Sequence, residues 1–136
     1  MDFADVIRCQ RAFFRTGATR SFAFRKARLE KLEGALVAHE SDLLAALRAD
    51  LRKPAQEAYS GEIAMVLGEI RHALRHLASW MKPRRRGVPW LAWPGRGESR
   101  PEPRGVALIL GPWNYPVQLL LSPLVASIAA GNCAVL

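Results

Sequence analysis

The last quarter of the chain constrains the fold most, because apolar runs there alternate with residues that must interrupt them. Residues 106–110 form an apolar run of strand length, residues 117–130 form one of helix length, and residues 133–136 begin another strand-like run. Residues 111–116 (GPWNYP) make a rigid turn after the first run. This order predicts two parallel strands joined by a crossover helix, so we expect an α/β fold. Repeated Gly and Pro residues argue against a membrane-spanning helix here.

Upstream of this unit the sequence predicts four helices, because apolar residues recur there at steps of three and four. Ser41 is expected to cap the third helix, and Pro54 prevents that helix from continuing. Arg25 is expected on the polar face of the second helix, opposite its leucines. The four helices are expected near residues 2–16, 22–39, 42–53 and 57–81.

Residues 83–104 differ from both neighbouring sections because they are rich in Pro, Arg and Trp. Pro and Gly at this density exclude a helix and allow only extended or edge-strand structure. We therefore predict an extended excursion or a hairpin over residues 84–103. The chain then divides into a helical section (1–82), this extended segment (83–104) and an incomplete first βαβ unit (105–136), all within one domain.

Because the net charge is +8, the candidate partners include an acidic protein, a nucleic acid and an anionic membrane surface. Residues 82–86 (KPRRR) contain the densest basic cluster, which could bind a phosphate group or an anionic surface. They can equally be cations favoured at the end of a helix, followed by a solvated loop. Basic residues elsewhere are interleaved with Glu and Asp over several helices, which favours solvated surfaces over a nucleic-acid interface.

Cysteines and histidines give little support for a disulfide or a metal site. Cys9 and Cys133 are too isolated for a disulfide framework, which fits a reducing cytoplasm. His72 and His76 share a helical face but have no evident third ligand, so we expect them to face solvent and predict no metal site. Charged residues near the N-terminus argue against a secretory signal.

The turn at residues 111–116 has two interpretations. It follows a strand and opens a helix, which is where open α/β sheets bind ligands, and Asn114 could donate its side-chain amide to a developing oxyanion. Alternatively, Asn114 caps the following helix while Trp113 and Tyr115 pack against it. For an arbitrary Pro-Trp-Asn turn, the residues alone favour the capping interpretation.

A family resemblance changes this balance. The C-terminal section resembles the cofactor-binding half of an aldehyde dehydrogenase, and the upstream helices are similar to the class 3 branch, which acts on medium- and long-chain or aromatic aldehydes. The segments that carry the resemblance are residues 105–116 (GVALILGPWNYP), 122–124 (SPL), 129–132 (AAGN), 16–20 (TGATR), 46–53 (ALRADLRK) and 57–59 (EAY).

The resemblance implies a Rossmann-like domain and an NAD(P)-dependent oxidation in which a cysteine forms a thioester and a glutamate activates water. It implies that Asn114 is the oxyanion donor and that the backbone at Leu110, Pro112 and Trp113 lines the nicotinamide-ribose side of NAD or NADP. Tyr115 would lie on the wall of the aldehyde tunnel. It also implies a homodimer, with the extended segment taking part in subunit pairing.

The chain stops before the Lys-Pro-Ser-Glu stretch that follows in the family, and before the catalytic cysteine and glutamate. Neither Cys9 nor Cys133 is expected to replace that cysteine. We therefore expect an N-terminal fragment that is inactive alone. Two alternatives are a truncated product that serves only as an interaction or pseudo-enzyme module, and a basic helical protein that binds nucleic acid.

Overall fold

The computed structural model describes residues 2–136 and shows helices followed by a strand–helix–strand unit, which confirms the α/β fold class. The helices are α1 (Phe3–Arg15), α2 (Phe22–Ala38), α3 (Glu40–Leu51), α4 (Ala55–Ala58), α5 (Ala64–Trp80) and α6 (Gln118–Ala130). A π turn, Tyr59–Ile63, joins α4 to α5, and short 3-10 turns occupy Ala18–Arg20 and Trp90–Ala92. The strands are β1 (Arg84–Arg86), β2 (Gly97–Ser99), β3 (Val106–Leu108) and β4 (Cys133–Val135).

Strands β3 and β4 are parallel, and α6 is the crossover between them. Val106 is opposite Cys133, and Leu108 is opposite Val135. The pairing extends by one residue on the turn side, where the N–H of Ile109 donates to the carbonyl of Val135 at 2.9 Å. Both strands therefore point their carboxyl ends toward the turn at residues 111–116.

Strands β1 and β2 form an antiparallel hairpin, so the predicted extended segment is a hairpin with a 3-10 turn in its loop. Arg84 is opposite Ser99, and Arg86 is opposite Gly97. The three arginines of β1 are all exposed. No helix between residues 2 and 136 is both long and apolar enough to cross a membrane.

The core lies where α2, α5 and α6 meet, because the apolar stripes that the sequence pattern predicts face one another there. Leu29, Ile70 and Leu77 are fully buried. Burial of one such side chain stabilises the fold by about 1.5–3 kcal/mol. The buried cluster comprises Leu29, Leu36, Ile63, Val66, Leu67, Ile70, Ala73, Leu77, Val125 and Ala129.

Two predicted helix starts are wrong. Helix α3 begins at Glu40 with His39 in the cap position, so Ser41 lies inside its first turn. A single residue separates α2 from α3, and the carbonyl of His39 already accepts the N–H of Leu43 at 3.0 Å. The next helix begins directly after Pro54, whose missing N–H is not needed at a helix start.

Arg25 is buried, which contradicts its predicted place on a polar helix face. Its Nε donates to the carbonyl of Thr19 at 2.9 Å, and its Nη1 donates to the carbonyl of Ala129 at 3.0 Å. Burial lowers the pKa of Arg25 from its ordinary value through desolvation. The side chain thus joins the turn before α2 to the last turn of α6, a contact that helical periodicity does not reveal.

Candidate functional site

The turn at residues 111–116 lies at the carboxyl end of β3 and leads into α6. Leu110 and Trp113 are 81% and 88% exposed. Pro112 and Asn114 are also exposed, whereas Tyr115 is half-buried. The turn therefore presents an exposed strip at the edge where open α/β sheets bind ligands.

A buried ion pair between Lys53 and Glu62 lies beneath this strip. The Nζ of Lys53 donates to Oε1 of Glu62 at 2.5 Å and to the main-chain carbonyl of Asn114 at 2.8 Å. Glu62 is fully buried, and only about a tenth of the Lys53 side chain is accessible. The pair thus connects the helical section to the turn through a charge-assisted hydrogen bond.

Glu62 also caps the N-terminus of α6 from another helix. Its Oε2 accepts the N–H of Val117 at 2.8 Å and, more weakly, that of Gln118 at 3.4 Å. The residue in the cap position, Val117, has no side-chain acceptor of its own. A carboxylate at a helix N-terminus satisfies free N–H groups and interacts favourably with the helix dipole.

The Tyr115 ring packs against the same pair. The Nζ of Lys53 lies 3.6 Å from the centroid of this ring, which is a cation–π contact. On another side, a Cβ placed on Gly61 would lie 3.3 Å from Cε1 of Tyr115. The absence of a side chain at position 61 therefore gives the ring its space.

Asn114 does not cap α6, so the capping interpretation of the turn is wrong. Within residues 2–136 the Asn114 side-chain amide makes no hydrogen bond, and only its main-chain carbonyl is engaged. Of the two aromatic residues that this interpretation expected to pack, Tyr115 does so and Trp113 does not. In this turn the backbone is fixed by the hydrogen bond from Lys53, and the exposed Asn114 side-chain amide can donate to a ligand.

Sequence reasoning missed Lys53 and Glu62 as part of this site. A signal existed for Glu62, since it stands four residues before Val66 and eight before Ile70, on the apolar stripe of the helix. An acidic residue in register with a buried face requires a partner. Lys53 offered no comparable signal, because it lies just after a helix among other basic residues.

Neither cysteine belongs to the site. Cys133 starts β4 opposite Val106, at the end of the strands away from the turn. Burial raises the pKa of its thiol through desolvation, which disfavours the thiolate form. Cys9 is exposed on α1.

His72 and His76 are exposed, as predicted. Their rings contact each other in a tilted arrangement, and His76 stacks on Trp80. Among residues 2–136, no group of three or more His, Cys, Asp or Glu side chains could hold a metal ion.

The family follows from comparison with known proteins. The model of the aldehyde dehydrogenase family matches residues 1–136. The chain belongs to the aldehyde dehydrogenase family. One relative is aldehyde dehydrogenase family 3 member B1 of Mus musculus, which is 44% identical over 134 residues, covering 98% of this chain and 29% of that protein. Another is 4,4'-diaponeurosporen-aldehyde dehydrogenase of Staphylococcus aureus, which is 42% identical over 126 residues, covering 93% of this chain and 28% of that protein.

A solved structure agrees with this membership. The structure of Staphylococcus aureus AldH in its substrate-bound state superposes with a TM-score of 0.93 at 40% identity, over 98% of this chain and 30% of that one. Members of family 3 recur among the relatives, so the resemblance to the class 3 branch is confirmed. This aldehyde dehydrogenase chain spans less than a third of the length of the relatives it matches.

Proposed function

We propose that this chain is the N-terminal portion of an NAD(P)-dependent aldehyde dehydrogenase that oxidises aldehydes to carboxylic acids through a cysteine thioester. In this proposal Asn114 donates its side-chain amide to the oxyanion that forms when the thiolate attacks the aldehyde. The observation that carries it is the combination of an exposed Asn114 amide with a main chain held by Lys53. A preorganised donor stabilises developing charge without reorganisation during the reaction.

The cofactor is proposed to place its nicotinamide-ribose side along Leu110, Pro112 and Trp113. These residues form an exposed, largely apolar strip at the carboxyl end of β3, which suits a flat ring and its sugar. When bound, NAD or NADP would accept the hydride from the aldehyde carbon. Tyr115 would form part of the tunnel wall, and its packing against Lys53 supports a fixed position for the ring.

We propose that activity requires polypeptide beyond these 136 residues. Strands β3 and β4 form a two-stranded parallel sheet, although parallel sheets are ordinarily covered on both faces and extended at both edges. Leu108 and Leu136 are each 55% exposed, so the isolated chain should be poorly soluble as well as inactive.

The coding DNA downstream of residue 136 is expected to continue with Lys-Pro-Ser-Glu. A stop codon with stable expressed protein would favour an interaction module, and aldehyde turnover by the 136-residue chain would contradict the proposal.

The hairpin of β1 and β2 is proposed to pair subunits in a cytoplasmic homodimer, so that residues 1–82, 83–104 and 105–136 serve as helical, oligomerisation and cofactor-binding sections. Trp90 and Trp93 are 82% and 80% exposed near its tip, which suits burial against a protein surface. Replacing both by Ser in the complete enzyme should shift its mass in light scattering from dimer toward monomer. The exposed Trp80, changed in the same way, serves as the control. An unchanged dimer would exclude the hairpin from pairing.

The catalytic proposal is tested by Asn114→Ala in the complete enzyme. Loss of one oxyanion donor should lower kcat by about 10²–10³-fold and leave cofactor binding nearly unchanged. Asn132→Ala is the matched control, because Asn132 accepts from the N–H groups of Arg104 and Gly105 at 2.7 and 3.0 Å and serves the backbone alone. That control should lower thermal stability without lowering kcat. An unchanged kcat in Asn114→Ala, with the chemical step rate-limiting, would refute the role of Asn114.

A further inference from the structure

The Lys53–Glu62 pair holds the main chain at two points directly after the Asn114 side chain. Lys53 holds the carbonyl of Asn114 itself, and Glu62 holds the N–H of Val117 three residues later. The two side chains also bond each other, so these contacts form one connected unit. We infer that Lys53 and Glu62 are positioning residues for the oxyanion donor, an inference that rests on the function proposed for Asn114.

Asn114 lies exposed on the turn. Within residues 2–136 its side-chain amide has no hydrogen-bonding partner, so its direction depends on the backbone that carries it. Pro112 and Pro116 restrict the backbone of the turn, but neither fixes the turn relative to the helices. The contacts of Lys53 and Glu62 supply that second constraint.

A role in stability alone does not account for the pair. The free-energy cost of removing two charges from water offsets much of their mutual attraction. Replacement of a buried ion pair by apolar residues is therefore often neutral or stabilising. Glu62 nevertheless stands where an apolar residue would continue the core stripe that includes Val66. The pair instead makes four hydrogen bonds, one between its two side chains, one to the turn and two to the start of α6.

The π turn at Tyr59–Ile63 contributes to this arrangement. A π turn inserts an extra residue into the helical repeat and changes the direction of the side chains around it, and such turns are frequent at functional sites. Here it contains both Glu62, which reaches α6, and Gly61, which leaves space for the Tyr115 ring. This single distortion of the helix thus positions Glu62, which helps to hold the turn that carries Asn114, and leaves space for the Tyr115 ring.

The test is a mutant cycle in the complete enzyme, with Lys53→Met, Asn114→Ala and both together. Lys53→Met should lower kcat by about 10- to 100-fold, the range for a misplaced catalytic group. In the Asn114→Ala background, the same change should lower kcat by less than about threefold, because residues that act through one another are not additive. Full multiplication of the two effects would overturn the inference, since Lys53 would then act through another group.

The control is the ion pair between Arg71 and Glu33, which joins α5 to α2 at 2.7 Å and includes no residue that bonds to the turn among residues 2–136. Arg71→Met should change kcat little, and equally in both backgrounds. If Asn114→Ala lowers kcat but Lys53→Met does not, the inference fails while the function of Asn114 stands. If Asn114→Ala has no effect, the proposed function fails and the inference fails with it.

Glu62→Gln is the milder variant and keeps the test decisive if Lys53→Met does not fold. It preserves shape and one acceptor oxygen but removes the charge that faces Lys53. We expect a smaller loss of kcat and faster hydrogen exchange at the amides of Val117 and Gln118, which Glu62 now protects. If Glu62→Gln leaves both kcat and the hydrogen exchange of these two amides unchanged, the inference is overturned, whatever the result for Lys53→Met.

Discussion

Replacing Gly131 by Ala should destabilise the protein through Arg25, which is distant in sequence. Gly131 follows α6 with a φ of 81°, in the left-handed region that L-residues avoid. A Cβ there would lie 2.7 Å from Nε of Arg25 and closer still to the centre of the guanidinium. Arg25 has little freedom to yield, because it donates to the carbonyls of Thr19 and Ala129.

The magnitude is the sum of two effects. A non-glycine residue in the left-handed region is strained by about 1–2 kcal/mol. Moving the guanidinium breaks at least one hydrogen bond from a charged donor, which contributes about 1.5–3 kcal/mol. Gly131→Ala should therefore lower the free energy of unfolding by about 2.5–5 kcal/mol.

The assay is thermal unfolding of the complete enzyme, followed by tryptophan fluorescence, for the wild type and two glycine variants. Gly34→Ala is the matched control, because Gly34 lies within α2 and an added Cβ there meets nothing within 4 Å. It should raise the free energy of unfolding by about 0.5–1 kcal/mol, as expected for Ala replacing Gly inside a helix. Equal unfolding temperatures for Gly131→Ala and the wild type would refute the reasoning.

Further predictions concern Arg25 and the two cysteines. Arg25→Met should lower the free energy of unfolding by about 3–6 kcal/mol, since two charged hydrogen bonds are lost, and an unchanged unfolding temperature would contradict this. In the folded protein at pH 8, iodoacetamide should modify the exposed Cys9 but not the buried Cys133, as mass spectrometry of tryptic peptides can check. Because burial raises the pKa of Cys133, its contribution to stability is present below the ordinary thiol pKa and is lost as pH rises through the raised value. Replacing Cys133 by Ala should remove that alkaline loss in urea titrations at several pH values.

Much of the local structure could be predicted from residues that act on their neighbours. The apolar run at 106–110, the Gly and Pro residues of the turn and the break at Gly131 predicted the parallel unit, because periodicity and backbone restriction are local properties. Helix bounds were less predictable. Only one residue separates α2 from α3, so His39 and not Ser41 occupies the cap position of α3. The first hydrogen bond of α3 is therefore accepted by the carbonyl of His39.

The family could also be predicted from the sequence, because the Pro-Trp-Asn-Tyr-Pro turn is specific and the family model matches the whole chain. The roles of Asn114 and Tyr115 remain predictions that rest on that resemblance. The turn by itself favoured the wrong alternative, in which Asn114 caps α6. Only the fold shows that a different residue, Glu62, occupies that capping role.

The sequence by itself thus determined the order of the main elements, the family and the turn at the end of β3. The tertiary structure decided that this turn is exposed and what holds it in place. Lys53 and Asn114 are 61 residues apart, and Arg25 and Ala129 are 104 apart, so these contacts exist only once helices from both ends of the chain have packed. A charged side chain in a sequence indicates only that it needs a partner or water when folded, and the fold determines which of the two it finds.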